Sequence, residues 1–150
     1  MNQNFKLIAH ALVKIGDKYL LIKRTEIKRG KPNSYPLYWD IPGGMVEVGE
    51  KPSEAAIRET KEEVNLDIEI GTVLHEDSNY DVEKGTIFTR IVYEAKLKDG
   101  QDEKNIVLQE DEHSEYKLVN DISEVDKPVD FLYDTIEHAI YYNLGKEKDN

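Results

Sequence analysis

Between Gly44 and Leu66, four glutamates and one arginine stand at fixed offsets across what reads as one turn and one helix. The order is Gly44, five residues, Glu50, seven residues, Arg58-Glu59, two residues, Glu62-Glu63, then Val64-Asn65-Leu66. Pro52 suits the first turn of a helix, where its missing N–H costs nothing. Glu54 adds negative charge where the helix dipole favours it. Ala55, Ala56, Ile57, Thr60 and Val64 supply a partial apolar stripe at helical spacing. Asn65 is a natural stop, because asparagine adopts the left-handed conformation more readily than most residues. The spacing therefore predicts a helix from Pro52 to Val64.

On that helix Glu59, Glu62 and Glu63 fall at i, i+3 and i+4 and share a face. Unpaired, three neighbouring carboxylates repel one another and weaken the helix. A hard divalent ion such as Mg²⁺ or Mn²⁺ would relieve that repulsion, since such ions prefer oxygen ligands. A run of glutamates alone reads as a solvated surface. Here Glu50, Arg58 and the Pro42-Gly43-Gly44 turn stand at offsets that favour the metal reading.

The segment resembles the Nudix box: Gly, five residues, Glu, seven residues, Arg-Glu, a hydrophobic residue, any residue, Glu-Glu, any residue, Gly and a hydrophobic residue. Gly44, Glu50, Arg58, Glu59, Glu62, Glu63 and Leu66 match. Thr60 stands where an aliphatic residue is usual, and Asn65 replaces the final glycine. The box covers 23 of the 150 residues, and Trp39-Asp40-Ile41-Pro42-Gly43-Gly44 looks like the strand and turn that lead into it. The resemblance implies an α/β (α+β) protein with the Nudix fold, a mixed β-sheet sandwiched between α-helices.

It also implies a Mg²⁺-dependent (or Mn²⁺-dependent) pyrophosphohydrolase that cleaves the diphosphate linkage of a nucleoside diphosphate derivative. A nucleoside triphosphate leads as substrate. A nucleotide sugar or ADP-ribose is the alternative, as is a non-catalytic nucleotide-binding module on the same fold. The intact Arg58-Glu59 and Glu62-Glu63 argue against that module, and the absence of cysteine against isoprenoid isomerisation. Glu59, Glu63 and Glu62 are the expected metal ligands, joined by the Gly43 carbonyl and by Glu50. Arg58 would orient the glutamates with its planar fork. Glu62 is one candidate base. Beyond the box, Glu115 is expected to act as a base or metal-proximal carboxylate, ahead of its rival Glu112, because it opens a strand before Tyr116. Arg24, Asp40 and Trp39 are substrate-binding candidates, although a tryptophan here is more often a packing residue. His10, His75, His113 and His138 show no ligand spacing and read as core or surface residues.

The rest of the chain sets bounds. A length of 150 residues suits one domain with a single core. A hydrophobic content of 39% with nine Tyr, one Trp and three Phe argues for a folded globule. There are no cysteines, which excludes disulfides and thiolate metal sites. The segment Met1-Asn2-Gln3-Asn4-Phe5-Lys6 lacks a secretory pattern and no apolar run is long enough to span a bilayer, so a cytoplasmic location and no membrane partner are expected. A net charge of −11 opposes binding of long nucleic acid, RNA caps included. A small nucleotide bridged by metal stays compatible with it, and a homodimer is left open.

Pattern reading places strands at 6–15, 18–24, 38–41, 66–79, 86–97 and 115–119. A polar loop is expected at 25–37 and an acidic loop at 99–113, the latter carrying an apolar patch at Ile106-Val107-Leu108. A second helix is expected over 129–144, stopped by Gly145.

Overall fold

The computed structural model describes residues 4–148, so Met1-Asn2-Gln3 of the amino-terminal reading lies outside the described residues. In chain order the elements are β1 (Asn4–Ile15), β2 (Lys18–Arg24), β3 (Ile27–Lys28), β4 (Lys31–Pro32), β5 (Trp39–Asp40), β6 (Gly43–Met45), α1 (Pro52–Val64), β7 (Ile68–Asp81), β8 (Thr86–Leu97), β9 (His113–Val119) and α2 (Phe131–Lys148). Seven of the strands form one mixed sheet, with the spine β5-β2-β1-β8-β7, β6 on β1 and β9 on β2. β1 and β8 run parallel, and the other pairings are antiparallel.

Period-2 alternation sends each strand's apolar residues to two faces. Ala9, Ala11, Val13, Leu20 and Ile22 face α1 and pack with Ala55, Ala56 and Val64. Leu12, Tyr19 and Leu21 face the other way, against Leu132, Ile136 and Ala139 of α2. The sheet is thus covered by one helix on each face, as expected from the sequence. Among the described residues no helix is long and apolar enough to cross a membrane.

One irregularity of the sheet positions the site. β1 and β2 pair directly at Lys14–Ile15 with Lys18–Tyr19. Past that point they diverge, and the chain from Trp39 to Met45 fills the split. Trp39 and Asp40 pair with Lys23 and Ile22 on one side, while Gly43, Gly44 and Met45 pair with His10, Ala9 and Ile8 on the other.

The loop expected at 25–37 contains the small β3–β4 hairpin. The strand expected at 38–41 shrinks to Trp39–Asp40, and the helix expected to stop at Gly145 runs on to Lys148. Gly145 does not take the left-handed conformation there. A glycine lowers helix propensity by about 1 kcal/mol, which weakens a helix without ending it.

Candidate active site

The glycine turn needs its glycines for space. A Cβ on Gly43 would lie 2.3 Å from His10 Nδ1 and 2.6 Å from the Ala9 carbonyl oxygen. One on Gly44 would lie 2.5 Å from Glu59 Oε1. Neither residue has a positive φ. The turn is therefore pressed between β1 and the acidic face of α1: a side chain at Gly43 would collide with β1, and one at Gly44 would push Glu59 away.

α1 begins with the Lys51 N–H donating to Glu54 Oε1 at 2.9 Å, one half of a capping box. It ends on Asn65, left-handed at φ 63 and ψ 31, which supplies the backbone shape of the missing glycine. Thr60 is buried and donates its hydroxyl to the Ala56 carbonyl at 2.7 Å, so a polar group at an aliphatic position is satisfied within the helix.

The three glutamates do not all turn the same way. Glu63 is 5% exposed and its Oε2 accepts the Gly43 N–H at 2.8 Å. Glu59 lies beside Gly44. Glu62 is rotated outward, its side chain 53% exposed. Arg58 joins them. It grips Glu50 through Nε (2.8 Å) and Nη2 (3.1 Å), donates Nη1 to Glu59 at 2.9 Å, reaches Glu62 at 3.4 Å and ties Nη2 to the Met45 carbonyl at 3.1 Å.

The electrostatics divide the group. The Arg58 guanidinium, with help from the Glu47 N–H, holds the Glu50 carboxyl down at about 2. Burial raises Glu59 despite Arg58. Burial likewise pushes Glu63 up to about 9, against the Gly43 N–H and assisted by Glu59, Glu112 and Asp40. One arginine does not balance this much negative charge.

The acidic loop completes the site. The last carbonyls of α1 lack intrahelical partners. Val107 N–H donates to the Val64 carbonyl at 3.0 Å and Gln109 N–H to the Glu63 carbonyl at 3.0 Å. Asn65 Nδ2 donates to the Asn105 carbonyl at 3.0 Å. Ile106 and Leu108 pack on the core beneath α1. This docking returns the chain over Glu63 and sets Glu112 and His113 beside it. One ligand atom from each of Glu63, Glu112 and His113 lies within 4.8 Å of the others. Lys28 and Arg29 of the β3–β4 hairpin hold Glu112 Oε1 at 3.0 and 3.6 Å.

The remaining expected site residues are placed as follows. Glu115 is set apart from the cluster. It pairs in register with Lys23, whose ammonium lies 4.0 Å from it and 5.8 Å from the Trp39 ring centre, on the α2 side of the sheet. Glu112, the residue just before that strand, stands at the cluster instead. Trp39 is 5% exposed in the core beneath α2, the packing position the sequence favoured, and its N–H and carbonyl bond Lys127 and Val129. Arg24 and Asp40 line the cleft but bind each other at 3.0 Å, with Arg24 also donating to Asn33 and Ser34.

A cleft of about 740 Å³ runs from Glu63, Gly43 and Gly44 past Asp40 and His10 to a second polar wall. There His75 lies between Asp134 (2.5 Å) and Asp77 (2.6 Å). Burial acts to lower its pKa, but the two carboxylates prevail and raise it. Arg90 lies 4.3 Å over the Phe131 ring, reaches Asp77 at 3.4 Å and donates Nε to His10 Nε2 at 3.3 Å. His10 is buried, and chiefly that burial lowers its pKa. The histidines read from sequence as core or surface thus include three that adjoin the site: His10, His75 and His113. Their signal was absent from the spacing, because each meets its partners across more than 30 residues, Asp77 excepted. His113 alone had a hint, as the neighbour of Glu112.

The sequence model of the NUDIX domain matches residues 6–137. A comparison with curated proteins by sequence gives no match. Among solved structures, the chain is similar to a MutT protein from Methanosarcina mazei Go1 at 21% identity, with a TM-score of 0.71 over 95% of this chain and 98% of that one. A MutT NUDIX hydrolase from Burkholderia pseudomallei matches at 22% identity and a TM-score of 0.71, over 91% and 98%. An Ap4A hydrolase from C. elegans matches at 22% identity and a TM-score of 0.67, over 93% and 98%. At these identities the likeness establishes the fold.

Proposed function

The chain belongs to the NUDIX family and is a hydrolase of pyrophosphate-containing substrates, and from that premise we propose that it cleaves the diphosphate linkage of a nucleoside triphosphate with a divalent cation, Mg²⁺ or Mn²⁺. The observation that carries the reading is the under-balanced carboxylate group of Glu59 and Glu63, held against a side-chain-free turn at one end of the cleft.

The residues present fit such a cation. Glu59 and Glu63 would hold it with the Gly43 carbonyl, and Glu112 stands close enough to join them. A divalent ion bound there supplies positive charge to the diphosphate oxygens and makes water more acidic. Arg58 is a positioning residue, since its fork fixes Glu50 and Glu59 and its own donors are consumed in doing so. Glu62, facing solvent beside that fork, is the proton acceptor for the attacking water. The Arg24–Asp40 pair braces the cleft wall next to the phosphates. The substrate's remainder extends toward Arg90 and Asp77.

A nucleotide sugar or ADP-ribose is the second reading. Asp77 and Asp134 at the far wall would serve as acceptors for sugar hydroxyls. Solved relatives carry related names, a UDP-X diphosphatase and the Ap4A hydrolase among them. Purified protein given nucleoside triphosphates, nucleotide sugars, ADP-ribose and dinucleoside polyphosphates should release a nucleoside monophosphate only when the cation is present. Turnover that survives exhaustive chelation would overturn the reading, and a sugar phosphate as the preferred co-product would select the second one.

A further inference from the structure

We infer that the cation site is a mixed oxygen–nitrogen centre in which His113 Nδ1 is a direct ligand beside Glu63 and Glu112. This rests on the metal reading above and adds a residue that the glutamate pattern does not contain.

His113 is 3% exposed. Its Nδ1 is sealed from solvent, and among the described residues it is the buried side-chain polar atom without a hydrogen-bond partner. Buried polar atoms are almost always paired, because desolvation without a partner costs free energy. Glu63 Oε1 lies 3.9 Å from it, beyond hydrogen-bond reach. His10 differs in having both ring nitrogens engaged, with Ile41 and with Arg90.

The free nitrogen lies 3.9 Å from Glu63 Oε1, and a His113 ring nitrogen, a Glu63 oxygen and a Glu112 oxygen lie within 4.8 Å of one another. Adjacent ligand atoms at about 2.0–2.2 Å from a common ion stand about 3 Å apart, so the side chains would draw together by side-chain rotation to close the triangle on an ion. Both cationic partners of Glu112 fall on Oε1, which leaves its second oxygen for the centre. The ring is held there by structure already described, since the His113 N–H bonds the Gln109 carbonyl and Gln109 in turn bonds the end of α1.

An imidazole ligand changes the choice of ion. Mg²⁺ prefers oxygen, whereas Mn²⁺, Co²⁺ and Zn²⁺ accept nitrogen progressively better. The site should therefore bind Mn²⁺ in marked preference to Mg²⁺, by more than an all-carboxylate site would.

The test uses the metal-stripped full chain titrated with Mn²⁺ and read by pulsed electron paramagnetic resonance. Directly bound ¹⁴N should modulate the echo, and ¹⁵N-histidine labelling should change that modulation with no mutation and no risk to folding. His113→Gln should remove it and weaken Mn²⁺ binding by at least the roughly 10- to 100-fold that even a supporting residue contributes, with a smaller change for Mg²⁺. Mn²⁺ bound without histidine nitrogen coupling overturns the inference and leaves the carboxylate site standing. No Mn²⁺ binding by the parent overturns both.

Discussion

The two ends of the cleft use the same residue types in opposite ways. At the far wall the charges answer one another: His75 sits between Asp77 and Asp134, and Arg90 is shared by Asp77, His10 and the Phe131 ring. At the glycine turn the charges are left over. Glu63 has one N–H, Glu59 shares one arginine, and His113 Nδ1 has nothing. A satisfied network holds the fold together and presents a finished surface, while an unsatisfied one stores a demand for a cation. The lesson is that count and proximity of charged groups do not locate chemistry, whereas their imbalance does.

The sharpest break in this contrast is Glu63→Gln. It should lower kcat on the order of 10²- to 10⁴-fold, as losing several kcal/mol of charge stabilisation does. The same variant should be more stable without metal. In the folded state Glu63 titrates near 9 instead of its ordinary 4.5, so the folded chain keeps a proton that the unfolded chain gives up. Its contribution is fully present below pH 4.5 and is lost as pH climbs toward 9. Thermal melts of the metal-free parent should fall across that window. Glu63→Gln should flatten the fall, and a saturating divalent ion should reverse it.

Glu62→Gln comes next. Removing a base should cost about 10² or more in kcat, yet the melting temperature should hardly move because the side chain is 53% exposed. Full turnover in this variant would make Glu62 an ordinary solvated residue and move the proton acceptor to another group.

His75→Gln probes the satisfied end. Circular dichroism melts should show a loss of about 1 kcal/mol, kept small by solvent screening around the half-exposed Asp134. Steady-state kinetics should show kcat nearly intact, with any change in KM. The raised folded pKa means that His75 stabilises most below its ordinary 6.5 and less as pH rises through the folded value. The variant should lose that component of the pH dependence. A collapse of kcat instead would place the reaction at the wrong end of the cleft.

The smallest effect is expected of Glu115→Gln. Among the described residues its ion pair is the 4.0 Å contact with Lys23 at the surface, worth about 0–1 kcal/mol. Activity and its pH profile should match the parent, whereas Glu112→Gln should weaken cation binding measured by calorimetry. Equal effects would remove the distinction between the two.

The sequence by itself determined α1, its cap at Asn65 and the identity of the acidic cluster, because helical periodicity and backbone preference act within a few residues. It also determined the alternation that buries both faces of the sheet. It did not determine which glutamates turn inward, since Glu59, Glu62 and Glu63 are near-equivalent on a helix until a partner surface selects a side. That surface is the glycine turn, wedged where β1 and β2 part. Nor did it reveal that Glu112 and His113 stand beside Glu63 while Glu115 and Trp39 lie on the α2 side of the sheet. Those placements follow from hydrogen bonds between residues more than 40 apart, Val107 to Val64 and Gln109 to Glu63, and from the register shift in β9 that breaks the alternation between Glu115 and His113. Local spacing encodes angles along one element, but the meeting of two elements is fixed only when unsatisfied helix-end carbonyls and apolar side chains find partners in the folded chain.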